Sequence, residues 1–221
     1  MNRACWIGLA GCLLLAASPL EARSDRAGLY TFTVLRDGQP IGEHRFSFDH
    51  EGDRLEIEET TDIEVKLGMI PVFRFEHQRR ELWQDGRLLS IAARTNDNGE
   101  QLDIDIRPNG HGLIRTVNGR VDHIDDATKV LTLWNKDVLE HRSFVSLIED
   151  EILKASFRYL GKETVTLSGR PLETEHYRMV GDEERDVWYD AAGHVAKVRF
   201  ERQGSMIEYL RNEADPAPKT H

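Results

Sequence analysis

Along most of the chain, hydrophobic and polar residues alternate one for one. The clearest run covers residues 55–66. Leu55, Ile57, Thr61, Ile63 and Val65 fall on one side, with Glu59 the only charged residue among them. Glu56, Glu58, Thr60, Asp62, Glu64 and Lys66 fall on the other. A period of two sends successive side chains to opposite faces, so this run predicts a strand with one buried and one wet face. The alternation recurs at 29–35, 44–48, 72–82, 88–95, 101–107 and 113–117, and again at 163–167, 173–180, 185–189, 195–201 and 205–211. Turn signals such as Asp37-Gly38, Asp85-Gly86, Asn118-Gly119 and Gln203-Gly204 separate the runs. These residues tolerate the positive φ of tight hairpins. Strand, short turn, strand, repeated, predicts an antiparallel meander and argues against βαβ crossovers.

The middle breaks the pattern. Residues 128–157 hold few turn residues, and Phe144, Leu147, Ile148 and Ile152 stand at helical spacing. One or two short helices are expected there, with 152–159 equally readable as strand. The predicted fold class is therefore mainly β: a strongly curved antiparallel sheet, or unclosed β-barrel, with one or two short helices in the middle of the chain. Large antiparallel sheets curl, because twist accumulates and open edges invite pairing. The concave side then becomes an apolar groove, which either holds a ligand or is filled by its own side chains.

Composition narrows the function. The chain has 221 residues and a formal net charge of −10, from 29 Lys plus Arg against 39 Asp plus Glu. An acidic surface repels phosphate backbones, so no nucleic-acid partner is expected. Residues 1–22 read as a secretory signal peptide: Arg3 precedes an apolar stretch broken at Ser18-Pro19. Export to the periplasm follows as an expectation, with no membrane-crossing segment after cleavage. Leu9-Ala10-Gly11-Cys12 offers a rival, a lipidation motif that would anchor the protein through Cys12. Both cysteines, Cys5 and Cys12, fall inside the signal, so no disulfide and no thiolate chemistry is expected of the rest. Residues 23–211 are expected to form one β-rich domain, followed by a disordered tail at 212–221.

No recognisable catalytic constellation emerges. A Gly-x-Ser-x-Gly elbow, a phosphate-binding loop and a dinucleotide turn are all lacking. The histidines include no His-x-His pair, and in Glu43-His44 and Glu76-His77 the neighbours point to opposite faces of a strand. No catalytic residue, metal site or cofactor is therefore assigned. Asn96-Asp97-Asn98-Gly99-Glu100 reads as a hairpin turn, with calcium binding as the alternative. The row Glu56, Glu58, Asp62 and Glu64 reads as a solubilising face rather than a pair of glycosidase carboxylates. Residues 67–73 are apolar and include Gly68 and Pro71, which fits either a flap at a groove mouth or a connection packed on the barrel end.

The candidate ligand-binding residues are Phe75, Trp83, Arg94, Trp134, Asn135, Trp188 and Tyr189. The aromatics would supply apolar area, with core packing as their alternative use. Asn135, Tyr189 and Arg94 would orient a polar head. Arg94 faces the groove if Ala93 and Thr95 face water, and otherwise pairs with carboxylates on neighbouring strands.

Several stretches carry a family resemblance: YTFTVLRDGQPIGEHRFSF (30–48), FRFEHQRRELWQDGRL (73–88), ARTNDNGE (93–100), LWN (133–135), LGKETV (160–165) and DVWYDAAGHV (186–195). In this order the chain resembles a bacterial periplasmic family, domain of unknown function 6134. It departs from the family pattern at 146–156, where Glu149-Asp150-Glu151 replaces a polar Gln-Thr-Gly stretch. More distantly the layout looks like the lipoprotein-carrier fold, an unclosed barrel that shelters acyl chains. The family resemblance carries no activity over; the first expectation, from the groove of a curled sheet, is a non-enzymatic exported protein that binds a lipid or other hydrophobic ligand there. Two alternatives stand beside it. One is a cell-envelope scaffold with a filled core and a protein partner. The other is a hydrolase-type enzyme using His77 or Asp97 as general base.

Overall fold

A computed structural model of the protein describes residues 28–212. The candidate signal segment, with Cys5 and Cys12, lies outside the described residues, as does everything beyond Asn212. Asn212 itself, expected in the tail, is tied to the first strand: its amide donates to the Thr31 carbonyl at 2.8 Å, and the Thr33 hydroxyl donates to its side chain at 2.8 Å.

The strands are β1 (Gly28–Arg36), β2 (Gln39–Glu51), β3 (Arg54–Leu67), β4 (Ile70–Gln84), β5 (Arg87–Asp97), β6 (Glu100–Pro108), β7 (Gly112–Val117), β8 (Arg120–Asp125), β9 (Lys129–Val130), β10 (Ser143–Val145), β11 (Ile152–Leu167), β12 (Arg170–Gly181), β13 (Arg185–Tyr189), β14 (Val195–Arg202) and β15 (Ser205–Arg211). They form one 15-stranded sheet, running in order from β8 back to β1, then from β15 back to β9. Pairing is antiparallel apart from β9 with β10, which is parallel. The expected meander is thus present, and one long-range pairing, β1 with β15, joins its two halves.

The sheet's two edges, β8 and β9, are consecutive in the chain and do not pair with each other. Side chains bridge them instead. The Thr128 hydroxyl bonds the Asp125 carboxylate at 3.1 Å and the Ser143 hydroxyl at 2.9 Å. Arg115 of β7 and Arg120 of β8 both reach Asp150, at 3.2 and 2.5 Å. Asp150 belongs to the acidic stretch Glu149-Asp150-Glu151. The sheet is thus an unclosed barrel, as expected, with ion pairs and side-chain hydrogen bonds across the gap between its edges.

Residues 126–151 cover the gap. Their single helical feature is a 3-10 turn, Lys136–Glu140, whose N-cap Asn135 accepts from the Asp137 amide. The helical spacing of Phe144, Leu147, Ile148 and Ile152 is not used as a helix: Phe144 lies in β10 and Ile152 opens β11. Phe144 and Leu147 are buried along an irregular path while Ile152 is exposed, and Val145 and Leu147 pack with Ile91, Ile104, Ile106 and Val117 of β5–β7.

At the end bearing the β2–β3 and β4–β5 turns, the barrel is filled by aromatics. Tyr30, Phe32, Phe46, Phe48 and Tyr189 are buried together, with Trp83 and Trp134 packed against them. A satellite core lies on the other face, where Val165 and Leu167 from the tip of the β11–β12 hairpin cover Trp188 and Ala196. Residues 67–73 are not a wide connection. They form the tight tip of the β3–β4 hairpin, with Gly68 at φ 64°, and Leu67, Met69 and Ile70 are 75%, 96% and 67% exposed. Val72 and Phe73 line the cavity inside the barrel.

This packing predicts a contrast in stability. Ile104→Ala, at a fully buried position opposite the covering segment, should cost about 2–5 kcal/mol. Met69→Ser, on the exposed tip, should stay within about 0.5 kcal/mol of wild type. Denaturant unfolding of the two variants checks both.

Candidate functional site: a cavity with a charged floor

At the other end of the barrel the inner faces do not meet. Strands β1–β4 and β13–β15, with Leu131, Leu133 and residues 146–148, enclose a cavity of about 710 Å³. That lies within the ~300–1,000 Å³ of pockets that take small organic molecules. Near the mouth its walls are apolar: Ile41, Ile63, Val65, Phe73, Phe75 and Ile207. The rim carries charge of both signs, and Arg202 pairs across it with Asp97 at 3.2 Å.

Deeper in, the inward file of each strand turns polar before it reaches the aromatic plug. On β3, Val65 and Ile63 give way to Thr61 and Glu59. On β4, Phe73 and Phe75 give way to His77, Arg79 and Glu81. All of these polar residues are buried, as is His44 on β2. Arg79 is the centre. Its guanidinium pairs with Glu59 on one side and with Glu81 on the other at 2.9 Å. Glu81 is fully buried and also accepts from the indoles of Trp83 at 2.9 Å and Trp134 at 3.1 Å. A buried charge is tolerated only when paired and hydrogen-bonded, and both conditions are met at Glu81.

Two histidines flank Glu59. His44 Nδ1 bonds the Thr61 hydroxyl at 2.7 Å and lies 3.8 Å from Glu59 Oε1. His77 Nδ1 bonds the Thr95 hydroxyl at 2.9 Å. His77 Nε2 makes no hydrogen bond; Glu59 Oε1 stands 4.0 Å away. Leaving such a buried atom unsatisfied costs about 1–3 kcal/mol, and a ligand could remove that cost.

Burial and charge set the protonation of the floor. Burial, reinforced by Arg79 and His77, lowers His44 to about 3. Burial and Arg79 do the same to His77, also to about 3. Both rings are therefore neutral at ordinary pH. Burial raises Glu59 to about 7, the pull of Arg79 being outweighed by desolvation and by Glu81. Burial, with the charge of Glu59, pushes Tyr209 up to about 12.

The arrangement does not form a catalytic relay. Thr61 and Glu59 both face Nδ1 of His44, so that ring cannot pass a proton from one to the other through its two nitrogens. His77, its pKa lowered by burial and by Arg79, is a neutral hydrogen-bonding group at neutral pH. Asp97 sits at the rim against Arg202, away from His77. No group of metal ligands that could hold an ion occurs among the described residues.

The seven candidate ligand residues scatter. Phe75 lines the cavity wall. Trp83 and Trp134 lie beneath the floor and hold Glu81, and their rings meet edge to face at 5.8 Å. Asn135 caps the 3-10 turn. Tyr189 is buried in the plug, where its hydroxyl donates to the Leu133 carbonyl at 3.0 Å and burial raises its pKa. Trp188 points to the opposite face, stacked on His176 at 4.2 Å. Arg94 also points outward, because Ala93 and Thr95 are buried, and it pairs with Asp105 at 3.1 Å. Asn96 accepts from the Gly99 amide at 2.9 Å, the bond of a hairpin turn. Glu56 faces outward and pairs with Arg80 at 2.6 Å.

His44, Glu59, Arg79 and Glu81 were not among the candidates. Their signal was present: Glu59 interrupts an apolar file, and Phe73, Phe75, His77, Arg79, Glu81 and Trp83 form one file of alternate residues.

Comparison with known proteins gives the same picture of the fold. The family described as Domain of unknown function (DUF6134) matches residues 32–212. No curated protein matches the sequence. A crystal structure described as a beta-barrel-like protein of domain of unknown function DUF1849, from Brucella abortus, aligns with a TM-score of 0.60. The alignment covers 86% of this chain and 96% of that one at 8% identity, a likeness of fold alone.

Two outcomes follow from the floor. Glu81→Ala leaves two indoles without their partner and Arg79 with Glu59 alone, and should cost about 3–5 kcal/mol in denaturant unfolding. The second outcome concerns pH. The histidines have lowered pKa values, so their stabilising effect is complete above 6.5 and is lost as pH falls towards about 3. Glu59 has a raised one, so its effect is complete below 4.5 and is lost as pH rises through about 7. Between those limits two histidines oppose one carboxylate. Thermal melts should therefore be most stable near pH 6.5 and fall on the acid side; a flat acid limb would contradict the burial of both rings.

Proposed function

We propose that this chain, which belongs to the DUF6134 family, is an exported, non-enzymatic protein that binds a lipid or other apolar molecule inside its barrel. The observation that carries the reading is the cavity, roofed by apolar side chains and ending on buried polar groups. Affinity would come from apolar burial at ~25 cal/mol per Å², with the floor fixing which end of the ligand enters first. Phe75 is the earlier candidate that supplies wall area here. Trp83 and Trp134 support the floor from below.

Export rests on the signal-like segment 1–22, and a periplasmic location is part of the proposal. Among the described residues no helix is long and apolar enough to cross a membrane. An apolar molecule in an aqueous compartment needs shelter from water, which is what such a cavity offers.

The test uses a neutral fluorescent probe, N-phenyl-1-naphthylamine. It should bind the wild-type protein with saturable fluorescence enhancement. Val65→Trp, which places a larger side chain on the cavity wall, should weaken binding at least tenfold while the melting temperature stays close to wild type. Binding unaffected by Val65→Trp would place the probe elsewhere and remove the basis for a cavity carrier.

A further inference from the structure

The floor also bears on which head group the cavity takes. Arg79 is the cation nearest to hand for an anionic ligand, yet Glu59 and Glu81 already pair with it, and Glu81 is held further by two indoles. At the floor itself no positive charge is left over; elsewhere in the cavity lining the partly buried Arg185 pairs with Glu183, and Arg202 at the rim pairs with Asp97. With Glu59 ionised the Arg79–Glu59–Glu81 set carries a net negative charge; with Glu59 protonated it is neutral. The flanking imidazoles are neutral hydrogen-bonding groups, and His77 Nε2 is a buried polar atom of the cavity lining without a hydrogen bond.

We infer that the floor selects apolar ligands with an uncharged hydrogen-bonding head, a hydroxyl or an amide, and rejects carboxylates and phosphates. His77 Nε2 is the atom that receives the head group, and Glu59 is the residue that repels an anion. The inference rests on the cavity being the ligand site and names what that site accepts. In a water-poor site a second anion beside Glu59 is strongly opposed, since charge repulsion grows as the local dielectric falls. An ammonium head could approach Glu59 but would meet the Arg79 guanidinium beside it, and it would surrender its water. An alcohol or amide meets neither cost.

The discrimination depends on pH. The groups facing Glu59 are His44 from β2, His77, Arg79 and Glu81 from β4, and Tyr209 from β15, with Arg185 and Arg202 beyond the phenol. The two histidines stay neutral and Tyr209 stays protonated between pH 6 and 8, so Glu59 is the group that changes charge in this window. Below pH 7 it holds its proton and the bar to anions is relieved.

The experiment is displacement of N-phenyl-1-naphthylamine by 1-dodecanol, dodecanoate and dodecylamine at pH 6 and pH 8. At pH 8 dodecanol should bind at least tenfold more tightly than dodecanoate. Dodecanoate should gain about tenfold on going to pH 6, while dodecanol barely changes. Glu59→Gln should bind dodecanoate equally at both pH values; if that variant does not fold, the wild-type pH series decides alone. Equal affinities for alcohol and acid at pH 8 would overturn the selectivity while leaving the cavity reading intact. Tighter binding of dodecylamine than of dodecanol would overturn it in favour of a cation site. Failure of all three to displace a probe that Val65→Trp does affect would overturn it too, since no alkyl chain would then reach the floor.

Discussion

A guanidinium buried inside a β-barrel must be neutralised where it stands, and Arg79 is met by two carboxylates on its own and the adjacent strand. That constraint organises the interior. Glu81 faces the plug and recruits the indoles of Trp83 and Trp134. Glu59 faces the cavity and sits between two neutral histidines. One end of the barrel is thereby packed with aromatics. At the other end, charged groups that cannot be covered by aliphatic side chains without further partners mark the bottom of a hollow.

The topology makes such an interior possible. A closed ladder would fix the barrel's circumference, whereas this sheet ends at β8 and β9 and leaves a seam. Residues 126–151 span the seam and send Leu131, Leu133, Leu147 and Ile148 towards the concave side. The wall opposite β3 and β4 is thus an irregular segment held by Asp150, Thr128 and Ser143 rather than by ladder bonds. The pairing of β1 with β15 places the first and last described strands at the middle of the sheet, where their inward residues Phe32, Val34, Ile207 and Tyr209 contribute to the core and the cavity.

Much of the fold was legible because a half-buried antiparallel strand writes a period of two into the sequence. The meander, its turns and the curl followed from that. Within 128–157 the one helical turn is Lys136–Glu140, and the helical spacing of Phe144, Leu147, Ile148 and Ile152 goes unused because an irregular covering segment also needs apolar residues at intervals, so four such positions match a helical face by spacing alone. The site was less legible, for reasons of phase. Trp188 and Tyr189 are strand neighbours, so they cannot share a face; Tyr189 went inward and Trp188 outward. Arg94 turned outward because Ala93 and Thr95 are the buried pair. Glu59 stood out as the exception in its file, but its meaning depends on Arg79 from the next strand, and only the register, which places Glu59 opposite Arg79, brings the two together.

The central claim is that the charged floor lies beneath a space meant for a ligand, and electron density tests it most directly. A crystal structure of the protein purified from its own cells without detergent should show an elongated apolar molecule in the cavity. Its polar end should lie within hydrogen-bond distance of His77 Nε2. A cavity collapsed onto its own side chains, with Phe75 or Leu147 packed against Glu59 and Arg79, would contradict the claim.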